Sequence, residues 1–288
     1  MPSLHEQIIC FSGPDAGEFL QAQLTQDITG ATNPSGRLAA WCNAKGRVIA
    51  LGRVLDMGDG MIGLTVASSV ADRTAQGLLR FRLRAKVDIG PPPVPWGMAL
   101  SATTASFEQL GESGFDNLAG FNRSQKVGSI TAVNIGIQAP LIELYGPLKA
   151  LDALQNVTWP SAHEHSLARI HAGIAQVEAP TSEKFTPHML SLDLLGAISF
   201  DKGCYPGQEI VARTHYLGDS RRRLGRFLLC NDLPASAGDT LVLGNDCKVE
   251  IVNAVGRDIL AVAPVTATPD PDIAMRQELP WSIEDCAD

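Results

Sequence analysis

Lys202-Gly203-Cys204-Tyr205-Pro206-Gly207-Gln208-Glu209-Ile210-Val211-Ala212-Arg213 is the stretch from which the rest of the chain is best read. Two glycines and a proline predict a tight turn across Gly203–Gly207, because glycine reaches backbone conformations closed to other residues and proline withholds an N–H. Beyond the turn, Gln208 to Thr214 reads as a short helix. Glu209 falls in its first turn and Arg213 four residues on, so the two are spaced to pair and each suits its end of the helix dipole. Cys204 therefore stands just ahead of a helix N-terminus, with Lys202 close by in sequence. Exposed N–H groups and a cation favour thiolate, which makes Cys204 a candidate reactive group. The competing reading is a small buried hydrophobe.

The chain of 288 residues is long enough for two or three domains. Hydrophobic residues at 45% and charged residues at 19% are those of a folded protein rather than a disordered one. A net charge of −8 argues against broad nucleic-acid binding and leaves room only for a local basic site. No apolar run approaches the roughly 20 residues needed to span a bilayer. The first residues show no basic region followed by an apolar stretch, so no secretory signal is expected. Six scattered cysteines without a Cys-x-x-Cys pair match neither a disulfide framework nor a local metal motif, and a reduced, cytoplasmic compartment is expected.

Ile8–Phe11 reads as a strand. Asp15 and Glu18 then resemble a capping box, with Phe19, Leu20 and Leu24 at helical spacing over Asp15–Gln26. Gln26-Asp27 closes that helix. Leu38–Asn43 and Gly46–Leu55 read as strands about a turn at Asn43–Gly46, and Met61–Val66 as a third, which together predict an antiparallel sheet. Ser69 and Asp72 look like the cap of a helix reaching Leu79. From Arg80 the period falls to two: Phe81, Leu83, Ala85, Val87 and Ile89 alternate with Arg80, Arg82, Arg84, Lys86 and Asp88. This predicts a half-buried strand whose four cations form either a solvated face or a wall facing an anion. Pro91–Pro93 marks a bend or boundary.

Met98–Leu100, Ile130–Val133 and Leu141–Tyr145 read as strands, Pro147–Gln155 as a short helix, and 111–128 carries little periodic signal. Ser161 with Glu164 predicts a capped helix through Leu167, Ile170 and Ile174. Its His163 and His165 are two apart and cannot share a ligand on one face; His171 stands alone, and no metal site is expected. Arg221-Arg222-Arg223 is a basic run that reads as solvated or as a receiver of carboxylates or phosphates. Four short strands, Gly225–Cys230, Thr240–Leu243, Lys248–Val255 and Ile259–Val265, then suggest a separate small barrel or sandwich.

The hallmark Lys202–Glu209, with Val211-Ala212-Arg213 and the basic run after it, resembles that of the YgfZ family, folate-binding proteins related to the T-protein of the glycine cleavage system. The likeness extends in order through Phe19–Ile28, Cys42–Arg47, Arg169–Ile174 and Gly196–Phe200. It implies an α+β fold: a three-part ring of two interleaved α+β portions over residues 1–223, with an internal boundary near 91–96, and a C-terminal β-barrel over 224–288. It also implies a channel for tetrahydrofolate or a one-carbon derivative, lined by Lys202, Tyr205, Gly207, Gln208, Glu209, Arg213, Gln26, Asp27, His171 and Arg223, with Cys204 as the functional thiol.

The role implied is support of the maturation or repair of iron–sulfur enzymes, including tRNA-modifying ones, through transient contact with client proteins. A monomer is expected, with no membrane and no direct nucleic-acid contact. Two departures bear on turnover. Where T-proteins carry an acidic pair after the hairpin turn, counting from Lys45-Gly46 gives Ala50 and Leu51, and a methyl group neither takes nor orients a proton. Where T-proteins hold the pterin with a glutamate, this chain has His171, which offers no bidentate carboxylate. Folate-dependent aminomethyl transfer or demethylation is the second reading, and a ring that has lost folate the third.

Overall fold

Fourteen strands, five helices and a further helical stretch at 110–112 lie among the residues that the computed structural model describes, namely 6–28, 35–101, 108, 110–136, 141–154, 161–218, 220–244 and 246–279. Every strand pairing is antiparallel. The first sheet contains β1 (Glu6–Ser12), β2 (Arg37–Cys42), β3 (Val48–Gly58), β4 (Met61–Ala67) and β5 (Asp88–Gly90), in the order β2-β3-β4-β1-β5. Helices α1 (Ala16–Gln21) and α2 (Ser68–Leu79) cover it, burying Phe19, Leu20, Val70 and Leu78 against Phe11, Trp41 and Val66.

The second sheet has the order β6-β9-β8-β7, from β6 (Trp96–Ser101), β7 (Ser124–Val127), β8 (Ile130–Asn134) and β9 (Ile142–Pro147), with helix α3 (Leu148–Asp152) beside it. Helix α4 (Ala162–Ala172) begins with the predicted capping box. Ser161 Oγ accepts from Glu164 N–H at 3.2 Å, and the Glu164 carboxylate accepts from Ser161 N–H at 2.7 Å. Gly173 ends the helix in the left-handed region at φ 70°. Helix α5 (Gln208–Leu217) follows the hallmark turn.

The third sheet comprises β10 (Arg222–Leu229), β11 (Thr240–Val242), β12 (Lys248–Val255), β13 (Asp258–Pro264) and β14 (Ala274–Gln277). Its order, β11-β12-β13-β10-β14, leaves β11 and β14 as edges with no bonds between them among the described residues, so the expected closed barrel is replaced by an open sheet. A shared core joins all three sheets through Leu38 and Leu55, Tyr145, Ile170, Leu224 and Val262.

Several local expectations fail for identifiable reasons. The helix over Asp15–Gln26 stops at Gln21, and Asp15 makes no side-chain cap; its Oδ2 instead accepts from the Lys86 N–H at 2.6 Å, on the neighbouring segment. Ser69 does not cap α2 either, and its Oγ accepts from Ala179 N–H at 3.1 Å. The alternating segment is not a strand along its length. Arg80, Phe81 and Arg82 each donate back three residues, to Gly77, Leu78 and Leu79, extending the end of α2 as turns. Leu83 then adopts φ +44°, and only Asp88–Gly90 pairs with β1. With the N–H groups of Arg80, Phe81, Arg82 and Ala85 bonded to residues just before them and that of Lys86 held by Asp15, these residues are not paired in the sheet, and Phe81 and Leu83 are exposed. The fourth strand of the second sheet, β7, arose where the sequence carries no period. Most of the segment between Asp27 and Leu38 lies outside the described residues, as does Cys286, one of the six cysteines.

Candidate functional site

The hallmark is delivered by a partly buried connection, 174–207, that carries no strand or helix. It is tied to β3 at its start, where Val48 N–H donates to Phe185 O at 2.9 Å and Glu183 N–H to Val48 O at 2.7 Å. Further on it is tied beyond α1. Thr25 Oγ donates to Ala197 O at 2.7 Å, Ser199 N–H donates to Thr25 O at 2.9 Å, and the Gln26 side-chain amide donates to Gly196 O.

Lys202 makes the next anchor. Its Nζ donates to the carbonyls of Gln21, Leu24 and Gln26 at 2.5, 2.6 and 3.0 Å, capping the end of α1, and lies 5.4 Å from the centroid of the buried Tyr205 ring. Burial pulls the Lys202 pKa down to about 8. Three carbonyls, however, ask for three N–H bonds, and only the protonated amine has them. Asp27, which accepts from Gln21 Nε2 at 3.0 Å, adds a carboxylate on the same side. The cation predicted to assist Cys204 is thus committed to the backbone of α1.

Gly207 makes the last anchor. It is the N-cap of α5 at φ 80°, and a Cβ there would meet Asn43 O at 2.5 Å and Gly46 N and Cα at 2.7 Å. Only glycine allows the loop to lie on the β2–β3 turn at this distance. Asn43 holds that turn, accepting from Lys45 and Arg47 N–H at 2.9 and 3.0 Å and donating to Glu183 at 2.8 Å. Helix α5 therefore starts at Gln208, and Pro206 precedes its N-cap instead of occupying its first turn. Cys204, between the anchors, is exposed and free. The reading of Cys204 as a small buried hydrophobe is excluded.

The residues named from the sequence divide into groups. Gln26, Asp27, Lys202 and Tyr205 come together, and Gly207 with Gln208 continues the same corner. Glu209 and Arg213 are exposed on α5 and form no ion pair with each other among the described residues. Arg223 is held by Asp193, both Nη–O distances being 2.9 Å. His171 lies at 3.1 Å from Asp258, which also receives Arg226. Ala50 is buried in the first core and Leu51 in the shared one. No group of three or more His, Cys, Asp or Glu poised for a metal occurs among the described residues, and no described helix is long and apolar enough to cross a membrane.

Two further features escaped the sequence reading. One is an interior charge cluster. Glu143 of β9 receives Arg53 Nε at 3.1 Å, Arg169 Nε at 2.8 Å, His165 Nε2 at 3.1 Å and the Tyr145 hydroxyl at 3.0 Å. Burial would raise the Glu143 pKa, yet Arg169, Arg53 and His165 together hold it well below the usual carboxylate range. Glu6 lies 2.7 Å from Arg169 Nη1, off line for a hydrogen bond, so both its oxygens, like Arg53 Nη2, are buried without a hydrogen-bond partner among the described residues. The only sequence signal was a lone charge inside an apolar run: Arg53 in Val48–Leu55 and Glu143 in Leu141–Tyr145.

The other is a cavity of about 580 Å³ between α2, the β2–β3 hairpin and the hallmark loop, with Trp41, Ile49, Gly77, Phe81 and Arg80 among its walls. Pro206 lines it and Cys204 does not.

No protein-family model matches the chain. It is 30% identical over 221 residues to "tRNA-modifying protein YgfZ" of Cronobacter sakazakii, covering 74% of this chain and 66% of that protein. The same-named protein of Colwellia psychrerythraea is 29% identical, over 75% of this chain and 67% of its own length. That of Klebsiella pneumoniae is 29% identical, over 81% and 72%. The chain thus spans about two thirds of the length of the curated relatives it matches. In three dimensions it resembles glycine cleavage system aminomethyltransferase T from Bartonella henselae, with a TM-score of 0.70 over 98% of this chain and 85% of that one, at 16% identity. That likeness shows the fold. With the hallmark at Lys202–Glu209, these curated relatives place the chain in the YgfZ family.

Proposed function

We propose that the chain is a tetrahydrofolate-binding accessory protein supporting the maturation or repair of iron–sulfur enzymes, tRNA-modifying ones among them, with Cys204 as its reactive group. The observation that carries this reading is the exposed Cys204 thiol on a backbone pinned on both sides, by Lys202 against α1 and by Gly207 against the β2–β3 turn. A thiol so placed is open to thiol chemistry on a client or a folate adduct, and its thiolate is a ligand for iron. The name of the relatives, tRNA-modifying protein, and the aminomethyltransferase-like fold point the same way.

The residues present fit a folate. A pterin edge presents donors and acceptors together. The Glu6 carboxylate, ion-paired with Arg169 but accepting no hydrogen bond among the described residues, and Arg53 Nη2 offer both, in place of the carboxylate missing at His171. The exposed Arg213, bound by no carboxylate among the described residues, suits the glutamate tail better than Arg223 or Lys202, which are already committed. On this reading the three sheets ring the ligand.

Titration with tetrahydrofolate, followed by quenching of the four tryptophans, gives a saturable change that Glu6→Gln weakens; a flat titration removes the folate. The second reading, aminomethyl transfer, lacks its acid at Ala50. Mass spectrometry of folate products with candidate amines separates the two, since turnover favours the transferase.

A further inference from the structure

The turn that replaces the expected strand after α2 exposes Arg80, Phe81, Arg82, Leu83, Arg84 and Lys86 in close succession. Arg80 and Phe81 also line the 580 Å³ cavity. Arg80, Arg84 and Lys86 have no side-chain ion pair or hydrogen bond among the described residues, and Arg82 has only a 4.0 Å approach to the exposed Asp88. Inside the cavity, Phe81 meets Trp41 edge to face, with ring centroids 6.4 Å apart and planes at 83°. Gly77 sits against the same indole, where a Cβ would come within 2.3 Å, so the ring is fixed in place.

These features suit a flat ring stacked on an aromatic wall and joined to anions that the neighbouring exposed cations can take. We propose that this face binds single-stranded nucleic acid, with one base in the Trp41–Phe81 cavity and its flanking phosphates on Arg80, Arg82, Arg84 and Lys86. Aromatic walls take any base by its π-face, and a short basic track follows the backbone. A lipid surface would use Leu83 and the cations but leave the aromatic cavity without a role. The chain's net charge of −8 opposes long-range attraction, so binding is local and strongly salt-dependent. The inference goes beyond the folate reading and is tested without folate.

The test is fluorescence anisotropy with a labelled 12-mer oligoadenylate, between 50 and 200 mM salt, beside flotation with anionic phosphatidylserine vesicles. Saturable oligonucleotide binding is expected, with log affinity falling against log salt at a slope of about −3 for about four phosphate contacts. The exposed triple change Arg80→Ala, Arg82→Ala, Arg84→Ala is expected to weaken binding at least about tenfold and to bring the slope near about −1. Phe81→Ala, also exposed, is expected to weaken it at least about fivefold through lost stacking. Circular dichroism of both variants confirms that they fold. No saturable binding at 50 mM salt, equal affinity in the triple variant, or vesicle binding without oligonucleotide binding would overturn the proposal.

Discussion

The interior cluster around Glu143 and the exposed corner at Cys204 solve opposite problems. In the cluster, charge is removed from water and the surrounding elements close on it: β3, β9 and α4 each contribute a residue to one carboxylate. At the corner, the backbone is what is fixed, by Lys202 and Gly207, while the side chain between them is left without partners. The cluster is therefore sensitive to the loss of any member. The corner is sensitive to its anchors and indifferent to the group it displays.

That contrast breaks most sharply at Glu143. Glu143→Ala leaves the buried Arg53 without a carboxylate and Arg169 with Glu6 alone, and a loss of about 3–5 kcal/mol is expected in urea denaturation. Acid probes the same carboxylate in the intact protein. Its folded pKa lies well below the unfolded value, so its contribution is fully present above about pH 4.5 and is lost as pH falls through the folded value. Denaturation midpoints measured from pH 6 downward are expected to fall below about pH 4.5, with a shallower slope in Glu143→Gln.

At the corner, Gly207→Ala forces a side chain into φ 80° against Asn43 O, at an expected cost of about 1–3 kcal/mol. Cys204→Ser is the smallest effect: stability stays within about 0.5 kcal/mol, while labelling by a thiol reagent at that position disappears. A large loss of stability in Cys204→Ser would mean that the corner, like the cluster, depends on the group it holds.

What was legible in the sequence follows the range of the interactions. The β2–β3 hairpin, the Ser161 capping box and the turn into α5 are written in adjacent residues, and all three form. The Asp15 and Ser69 caps failed because partners distant in sequence, Lys86 and Ala179, claimed the same oxygens. The alternation from Arg80 to Ile89 is genuine, but α2 carries its bonding pattern past Leu79 and the period never meets a sheet. The charge cluster joins residues 90 and 26 positions apart, beyond any local pattern. Of the residues named for the site, those around Lys202 and Gly207 lie together because the hallmark folds onto α1 and the hairpin. His171 and Arg223 are held elsewhere by Asp258 and Asp193, partners that no spacing announces.

The account rests on the Cys204 thiol, and replacing it with serine in the native host tests that directly. Activities of several iron–sulfur enzymes would be measured beside a cluster-free control enzyme. The account predicts that the cluster enzymes lose activity while the control and the abundance of the variant hold. Unchanged activity across the panel, with the variant present at normal levels, would contradict it.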